Sequence, residues 1–319
     1  MGISQYIKEI GRGKDGARSL TRAQATDLLG QVLDGAVSDL EVGAFCLAMR
    51  IKGETPEEMA GFLDAAESRL DRFPDNGATT VVLPSYNGAR KLPVLTPLLA
   101  LLLARHGLAV LVHGTATEST RVLSSDVLQA LGVTALAWVR PIAVGEVALA
   151  PTPLLCPGLK RLLDVRRIVG LRNPAHSLVK LMNPCQGQAL LLSSYTHPEY
   201  AVSMAQTLAL TGGNALLLRG TEGEVVADAR RHPPMDGYLG GQRVELQAVQ
   251  PGTLTQLPEL PAMDVASTTA YTQRVLEGHL PVPAPIARQI EHILHLASQM
   301  RHPSLPKRLK AQDTSIELP

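Results

Sequence analysis

Val81-Val82-Leu83-Pro84-Ser85-Tyr86-Asn87-Gly88-Ala89-Arg90-Lys91 runs from a short apolar stretch into a loop, and a long apolar segment opens soon after at Thr96-Pro97. The succession reads as strand, loop and helix, the unit from which a parallel α/β sheet is built. A loop in that position offers backbone N–H groups and a helix N-terminus to an anion. Here it also carries two adjacent cations, Arg90 and Lys91, and no carboxylate. The implied occupant is anionic, and no metal ligand comes with it.

The alternation continues outward from this loop. Strands are predicted over 79–83, 109–113, 189–193 and 215–219, with helices over 96–106, 124–131 and 197–211. That order implies a mostly parallel central sheet. Upstream the period changes, because apolar residues recur three and four apart in 23–33, 40–49 and 59–63, so residues 3–70 read as helices. Ser19 or Thr21 caps one helix and Ser38 the next, while Thr55-Pro56-Glu57-Glu58 starts a third with proline first and acids in the opening turn. The expected division is a small all-helical domain over 1–71 and a large α/β domain over 79–158 and 185–300. Helical character returns at about 159–184, between Pro157-Gly158 and Asn183-Pro184, and reads as a second visit to the helical domain. Beyond Pro251 the chain is Pro-rich until a last helix over 284–300, and 301–319 reads as a flexible basic tail.

At 319 residues and 45% hydrophobic composition the chain has ample material for two cores. Its longest apolar run, 92–104, contains Pro93, Thr96 and Pro97 and stops at Arg105-His106. That falls short of the ~20 residues of a membrane span. Met1-Gly2-Ile3-Ser4-Gln5-Tyr6 leads into a charged amphipathic pattern, unlike a secretory signal. Cys46, Cys156 and Cys185 are odd in number and widely spaced, which argues against disulfides and structural zinc. A cytoplasmic location is expected, with no membrane partner.

A net charge of +1 by itself gives no support for a polyanionic partner, but the charges are segregated. Residues 54–71 hold six acids against Arg69 alone, whereas 160–180 hold Lys160, Arg161, Arg166, Arg167, Arg172 and Lys180 against Asp164 alone. Arg301, Lys307, Arg308 and Lys310 form a second basic cluster. Such segregation builds a positive face on a nearly neutral protein.

The stretch Asp39-Leu40-Glu41-Val42-Gly43-Ala44-Phe45-Cys46-Leu47-Ala48-Met49-Arg50-Ile51-Lys52-Gly53-Glu54-Thr55-Pro56-Glu57-Glu58-Met59-Ala60-Gly61 resembles the N-terminal helical signature of anthranilate phosphoribosyltransferase. Further along, His113-Gly114 and the Arg121-Val122-Leu123-Ser124-Ser125-Asp126-Val127-Leu128 segment are similar to that family's H-G-N-R and S-A-D-V-L motifs. The resemblance extends over about residues 5–300. It implies a helical domain, an α/β domain, a ligand cleft between them and homodimerisation through the helical domain.

The departures carry the functional expectation. Where the enzymes have G-T-G-G-D after the first strand, this chain has Pro84, Ser85 and Tyr86 and keeps only Gly88, although a pyrophosphate needs glycines for close backbone approach. H-G-N-R becomes His113-Gly114-Thr115-Ala116, with Arg121 displaced along the segment. The adjacent Asp and Glu that hold magnesium in the enzymes become Glu222-Gly223-Glu224, with Arg219 in place of a His. This pattern resembles the YbiB-like paralogues of the family, which implies nucleic-acid binding without sequence preference and no catalytic residues, metal or cofactor. Aromatic residues make up 3% of the chain, so Tyr86 is the main stacking candidate.

The phosphate-binding candidates are then Asn87 and Gly88 through their N–H groups, Arg90, Lys91, Arg121, Arg166, Arg167, Arg172, His176, Lys180 and Arg219. His176 and Lys180, four apart, are expected to share one helix face. Such basic stripes suit the phosphates of DNA or RNA. A loop role is the first expectation for Glu222 and Glu224, and surface positions for His292 and His295. The alternatives are an active glycosyl- or phosphoribosyltransferase with an unidentified acceptor, which the fold alone permits, and a protein-interaction scaffold.

Overall fold

A computed structural model describes residues 2–13, 15–118 and 120–301. The N-terminal helices are α1 (Ser4–Ile10), α2 (Arg22–Asp34), α3 (Asp39–Lys52) and α4 (Pro56–Glu67). Thr21, Ser38 and Thr55 each close a capping box, with Gln24, Glu41 and Glu58 reaching back to the cap N–H. Two of these acids also tie helices together. Glu41 accepts the Ile3 N–H at 3.1 Å, and fully buried Glu58 accepts the Leu20 N–H at 2.9 Å and the Lys52 ammonium at 2.6 Å. Phe45 meets Phe62 edge to face, ring centres 6.0 Å apart, in the core of this layer.

The sheet has seven strands: β1 (Thr80–Pro84), β2 (Ala109–Gly114), β3 (Val147–Pro151), β4 (Ala189–Tyr195), β5 (Ala215–Arg219), β6 (Met235–Leu239) and β7 (Gln242–Gln247). Their order is β3-β2-β1-β4-β5-β6-β7, parallel through the first five and antiparallel at β6 and β7. The small helical domain plus large α/β domain with a mostly parallel sheet is the fold class expected. The central strands are buried on both faces, as parallel strands are. Val82, Leu111 and Leu191 face the core shared with the N-terminal helices, and Val81, Leu83, Val110, Val112, Leu190 and Leu192 face the other.

Helices α5 (Thr96–Arg105), α6 (Ser124–Ala130), α7 (Thr152–Leu155), α8 (Pro157–Val169), α9 (Ala175–Leu178) and α10 (Pro198–Thr211) connect these strands, and α11 (Val265–Leu276) and α12 (Ala284–Arg301) follow. α8 returns to the N-terminal helices: Arg161 donates to the Leu33 carbonyl at 2.8 Å, and a Cβ at Gly158 would lie 2.1 Å from that same oxygen.

Some elements differ from expectation. β3 is absent from the sequence reading because its five residues lack alternation and end at Pro151. α11 replaces part of the irregular Pro-rich region and starts at Asp264, whose side chain accepts the Ser267 N–H. α9 has only four residues, so Lys180 lies beyond it and does not share a helix face with His176. Of the basic tail expected at 301–319, all but Arg301 lies outside the described residues.

The chain leaves β1 to build β2 and β3 on one side and comes back to add β4 and β5 on the other. Ligands of open α/β sheets bind at such a reversal, beyond the carboxyl ends of the strands. The loop after β1 stands at that point.

Candidate functional site

Pro84 ends β1, and the chain turns through Ser85 to Leu92 in front of the N-terminus of α5. A Cβ at Gly114 would sit 1.8 Å from the Ser85 carbonyl, so only glycine lets the end of β2 pass this close to the loop. The anion site that the sequence implies is built, but its anion belongs to the chain. Glu224 accepts the N–H groups of Asn87 and Gly88, both at 2.9 Å, and the hydroxyls of Ser85, Thr96 at 3.1 Å and Ser124 at 3.4 Å. Thr96 is the first residue of α5, so the carboxylate also lies at the positive end of that helix.

Glu222 does the same one turn further along, accepting from the N–H groups of Arg90 at 2.7 Å, Lys91 at 3.0 Å and Leu92 at 3.2 Å. Burial opposes its ionisation, yet these N–H groups hold its carboxyl below the usual range. Glu222 is left-handed, φ 54°, the one non-glycine residue so placed among those described. The three hydrogen bonds offset the cost of that conformation, about 1 kcal/mol or more. Gly223 must be glycine, since a Cβ would fall 2.3 Å from Asn87 Nδ2, which donates to the Gly223 carbonyl at 2.9 Å.

The expected use of the Asn87 and Gly88 N–H groups for an external phosphate is therefore corrected: Glu224 has taken them. The loop role expected of Glu222 and Glu224 matches these contacts. No group of three His, Cys, Asp or Glu with metal-binding geometry occurs among the described residues.

Several cations converge beside this filled cradle. Arg121 donates to the Asn87 carbonyl at 3.1 Å and to Glu118 at 2.6 Å, and Arg166 donates to the same Glu118. Arg172 donates to Asn87 Oδ1 at 3.1 Å, and no carboxylate pairs with it among the described residues. Arg167 is exposed at the end of α8, near Asp164 at 3.5 Å and the Ala116 carbonyl at 3.3 Å. Arg90 and Lys91 project from the loop, and Arg219 is exposed at the end of β5. Arg121, Arg166 and Arg172 thus surround one loop, with Arg167 close by; Arg219 stands apart on its own strand end.

Lys180 and His176 are buried rather than displayed. The Lys180 ammonium donates to the Ser194 carbonyl at 2.8 Å, Ser194 Oγ at 3.2 Å and the Gly223 carbonyl at 3.2 Å, all neutral oxygens. Burial, reinforced by Arg172 and opposed by Glu224, pulls its pKa down to about 8. His176 is held neutral, its pKa lowered to about 3 by burial and then by Arg172. It therefore cannot serve as a cationic phosphate contact at neutral pH, because charging it would place a second cation in the same buried wall. Tyr86 is likewise fixed: its hydroxyl donates to the His176 carbonyl at 2.5 Å and its ring is 3% exposed. It forms wall, not a free stacking platform.

A cavity of about 520 Å³ opens next to these residues, between Met49 and Met59 of α3 and α4 and Tyr200 and Met204 of α10, with Arg172 and Lys180 in its wall. Sequence reasoning overlooked Tyr195 and Tyr200, which line this space, and Glu118, which joins two arginines. Tyr200 follows Pro198-Glu199 on a predicted helix, and that position at a strand-to-helix turn is the signal that could have marked it. His113 is fully buried on β2 with both ring nitrogens unpartnered among the described residues, and burial lowers its pKa to about 4.

A helical layer over a mostly parallel sheet, with an anion cradle at the chain reversal, is the architecture of an open α/β ligand-binding protein. Residues 4–69 match the model described as "Glycosyl transferase family, helical bundle domain". The chain is 40% identical over 304 residues to YbiB of Escherichia coli, an uncharacterized protein, covering 91% of this chain and 92% of that one. It is 31% identical over 230 residues to the anthranilate phosphoribosyltransferase of Symbiobacterium thermophilum, covering 69% and 65% of the two chains. The crystal structure of anthranilate phosphoribosyltransferase from Thermus thermophilus superposes with a TM-score of 0.66 over 93% of this chain and 90% of that one, at 23% identity. The chain belongs to the anthranilate phosphoribosyltransferase-like family.

Proposed function

We propose that this protein is a catalytically silent member of its family that binds DNA or RNA without sequence preference, through cations at the mouth of the cleft. The observation that carries the reading is the state of the loop at the chain reversal. Its backbone donors are spent on Glu222 and Glu224, while among the described residues the arginines round it outnumber their carboxylate partners: Arg121 and Arg166 share Glu118 and Arg172 has none. A carboxylate in the cradle repels a pyrophosphate, and the same carboxylates leave the outward cations to a ligand that presents phosphates in series. Arg90, Lys91, Arg167 and Arg172 are the cations proposed for that contact, and Arg219 extends it from the end of β5.

The partner in assembly is a second copy of the chain. Leu40, Leu47 and Ile51 lie on one face of α3 and are 83%, 46% and 61% exposed, an apolar stripe that supports dimerisation through the helical domain. The three cysteines are free and buried, which supports a reducing, cytoplasmic setting. No described helix is long and apolar enough to cross a membrane.

Fluorescence anisotropy with a labelled oligonucleotide, titrated across salt, tests the reading. Neutralising about five phosphates gives a log–log slope of about −4 to −5 for duplex DNA. Absence of binding at low salt, or binding that ignores salt, overturns it.

A further inference from the structure

The cleft offers more than phosphate contacts. Its cavity of about 520 Å³ lies within the range of about 300–1,000 Å³ typical of small-ligand sites. The helical side contributes Met49 and Met59 and α10 contributes Met204, buried and adaptable apolar side chains of the kind that accommodate flat rings. At the mouth, the ring of Tyr200 is 39% exposed and stands 6.3 Å from the ring of His197, while Tyr195 is half-buried at the end of β4. Tyr195 packs against the core, which leaves Tyr200 and His197 as the aromatic groups at the mouth.

The polar wall carries Arg172 and Lys180. Glu54 and Glu199 also line the cavity, but neither pairs with Arg172 or Lys180 among the described residues. Lys180 gives its donors to neutral oxygens only, and Arg172 spends one donor on Asn87 Oδ1, its other donors having no partner among the described residues. A buried ammonium without an ion pair is costly, and a nearby anion relieves that cost. Apolar and aromatic surfaces on one side, with unpaired cations on the other, match a planar ring joined to an anion. On a polynucleotide that unit is a single nucleotide turned out of its stack.

We propose that the cavity receives one unstacked nucleotide of a single strand, its base against Tyr200, His197 and Met204 and its phosphate on Arg172, in the positive field of Lys180. The proposal rests on the nucleic-acid reading and narrows it to single strands, because a duplex keeps its bases paired and stacked. Neighbouring phosphates then run outward over Arg167, Arg90 and Lys91.

The experiment compares three labelled ligands of equal length on the full chain: a single-stranded oligonucleotide, its duplex, and an abasic strand with the same phosphates. The single strand binds about tenfold more tightly than the abasic strand, within the range reported for one stacked base. Tyr200→Ala abolishes that difference and leaves abasic-strand affinity unchanged, and Tyr200→Phe restores it. If the abasic strand binds as tightly as the natural one, or Tyr200→Ala weakens both equally, the nucleotide pocket is overturned and a backbone-only surface remains. If none of the three binds at low salt, the nucleic-acid reading falls with it. The abasic comparison uses the unmodified protein, so it stands whatever the variants do to folding.

Discussion

Two neighbouring places at the carboxyl ends of the strands treat charge in opposite ways. In the cradle after β1, five backbone N–H groups and three hydroxyls converge on carboxylates of the same chain. In the cleft beside it, Arg172 and Lys180 line a cavity that also holds Glu54 and Glu199, yet both hydrogen-bond only to neutral oxygens among the described residues. One site has its anion built in, and the other has its cations left over. A fold can therefore keep the geometry of an anion site while closing it, and on the proposed reading the cations beside it serve a different polyanion.

The largest effect is expected from breaking the closed side. Glu224→Ala strands two N–H groups and the Thr96 hydroxyl in a buried site, Ser85 and Ser124 still pairing with each other, and leaving buried donors unpaired costs about 1–3 kcal/mol each before relaxation. A net loss of roughly 3–5 kcal/mol is expected in chemical denaturation, smaller when phosphate is added to take up the donors.

Acid separates the two regions next. The folded-state pKa values of His113 and His176 lie at about 4 and about 3, below the ordinary value near 6.5. Groups so depressed contribute stability that is fully present above pH 6.5 and lost as pH falls toward the folded values. By pH 4 each costs roughly 3 kcal/mol, so denaturant midpoints should drop steeply between pH 6.5 and 4. A His113→Leu variant should retain more of its stability on acidification.

On the open side, Arg172→Ala should weaken oligonucleotide binding about tenfold and lower the salt slope by about 1, with the unfolding midpoint little changed. The smallest effect follows from Lys180. Its ammonium is charged below about 8 and neutral above, so affinity should fall several-fold between pH 7 and 9. Lys180→Met should bind more weakly at pH 7 and lose that pH dependence.

Much of the fold was legible because local signals agreed with the tertiary result. Thr21, Ser38 and Thr55 cap the helices they precede, and the apolar runs at 80–84, 109–114, 189–195 and 215–219 are strands. β6 and β7 went unread although Gly240-Gly241, both left-handed, is a hairpin signal, because Met-Asp-Gly-Tyr-Leu has too little apolar alternation. At the site, the sequence marks an anion beside Asn87 and Gly88 but not its source. Glu224 is 136 positions from Gly88, and only the turn at Gly223 brings it there. The same blindness made His176 and Lys180 look like an exposed stripe, since burial depends on β4 and the loop after β5 folding over them.

The most direct test of the central claim is calorimetric titration of pyrophosphate into the unmodified protein and into Glu224→Ala at physiological salt. The account predicts no saturable binding to the unmodified protein and one site per chain in the variant, whose vacated donors accept the anion. Saturable binding to the unmodified protein, with the affinity of the variant, would show that Glu224 does not close the cradle and would contradict the account.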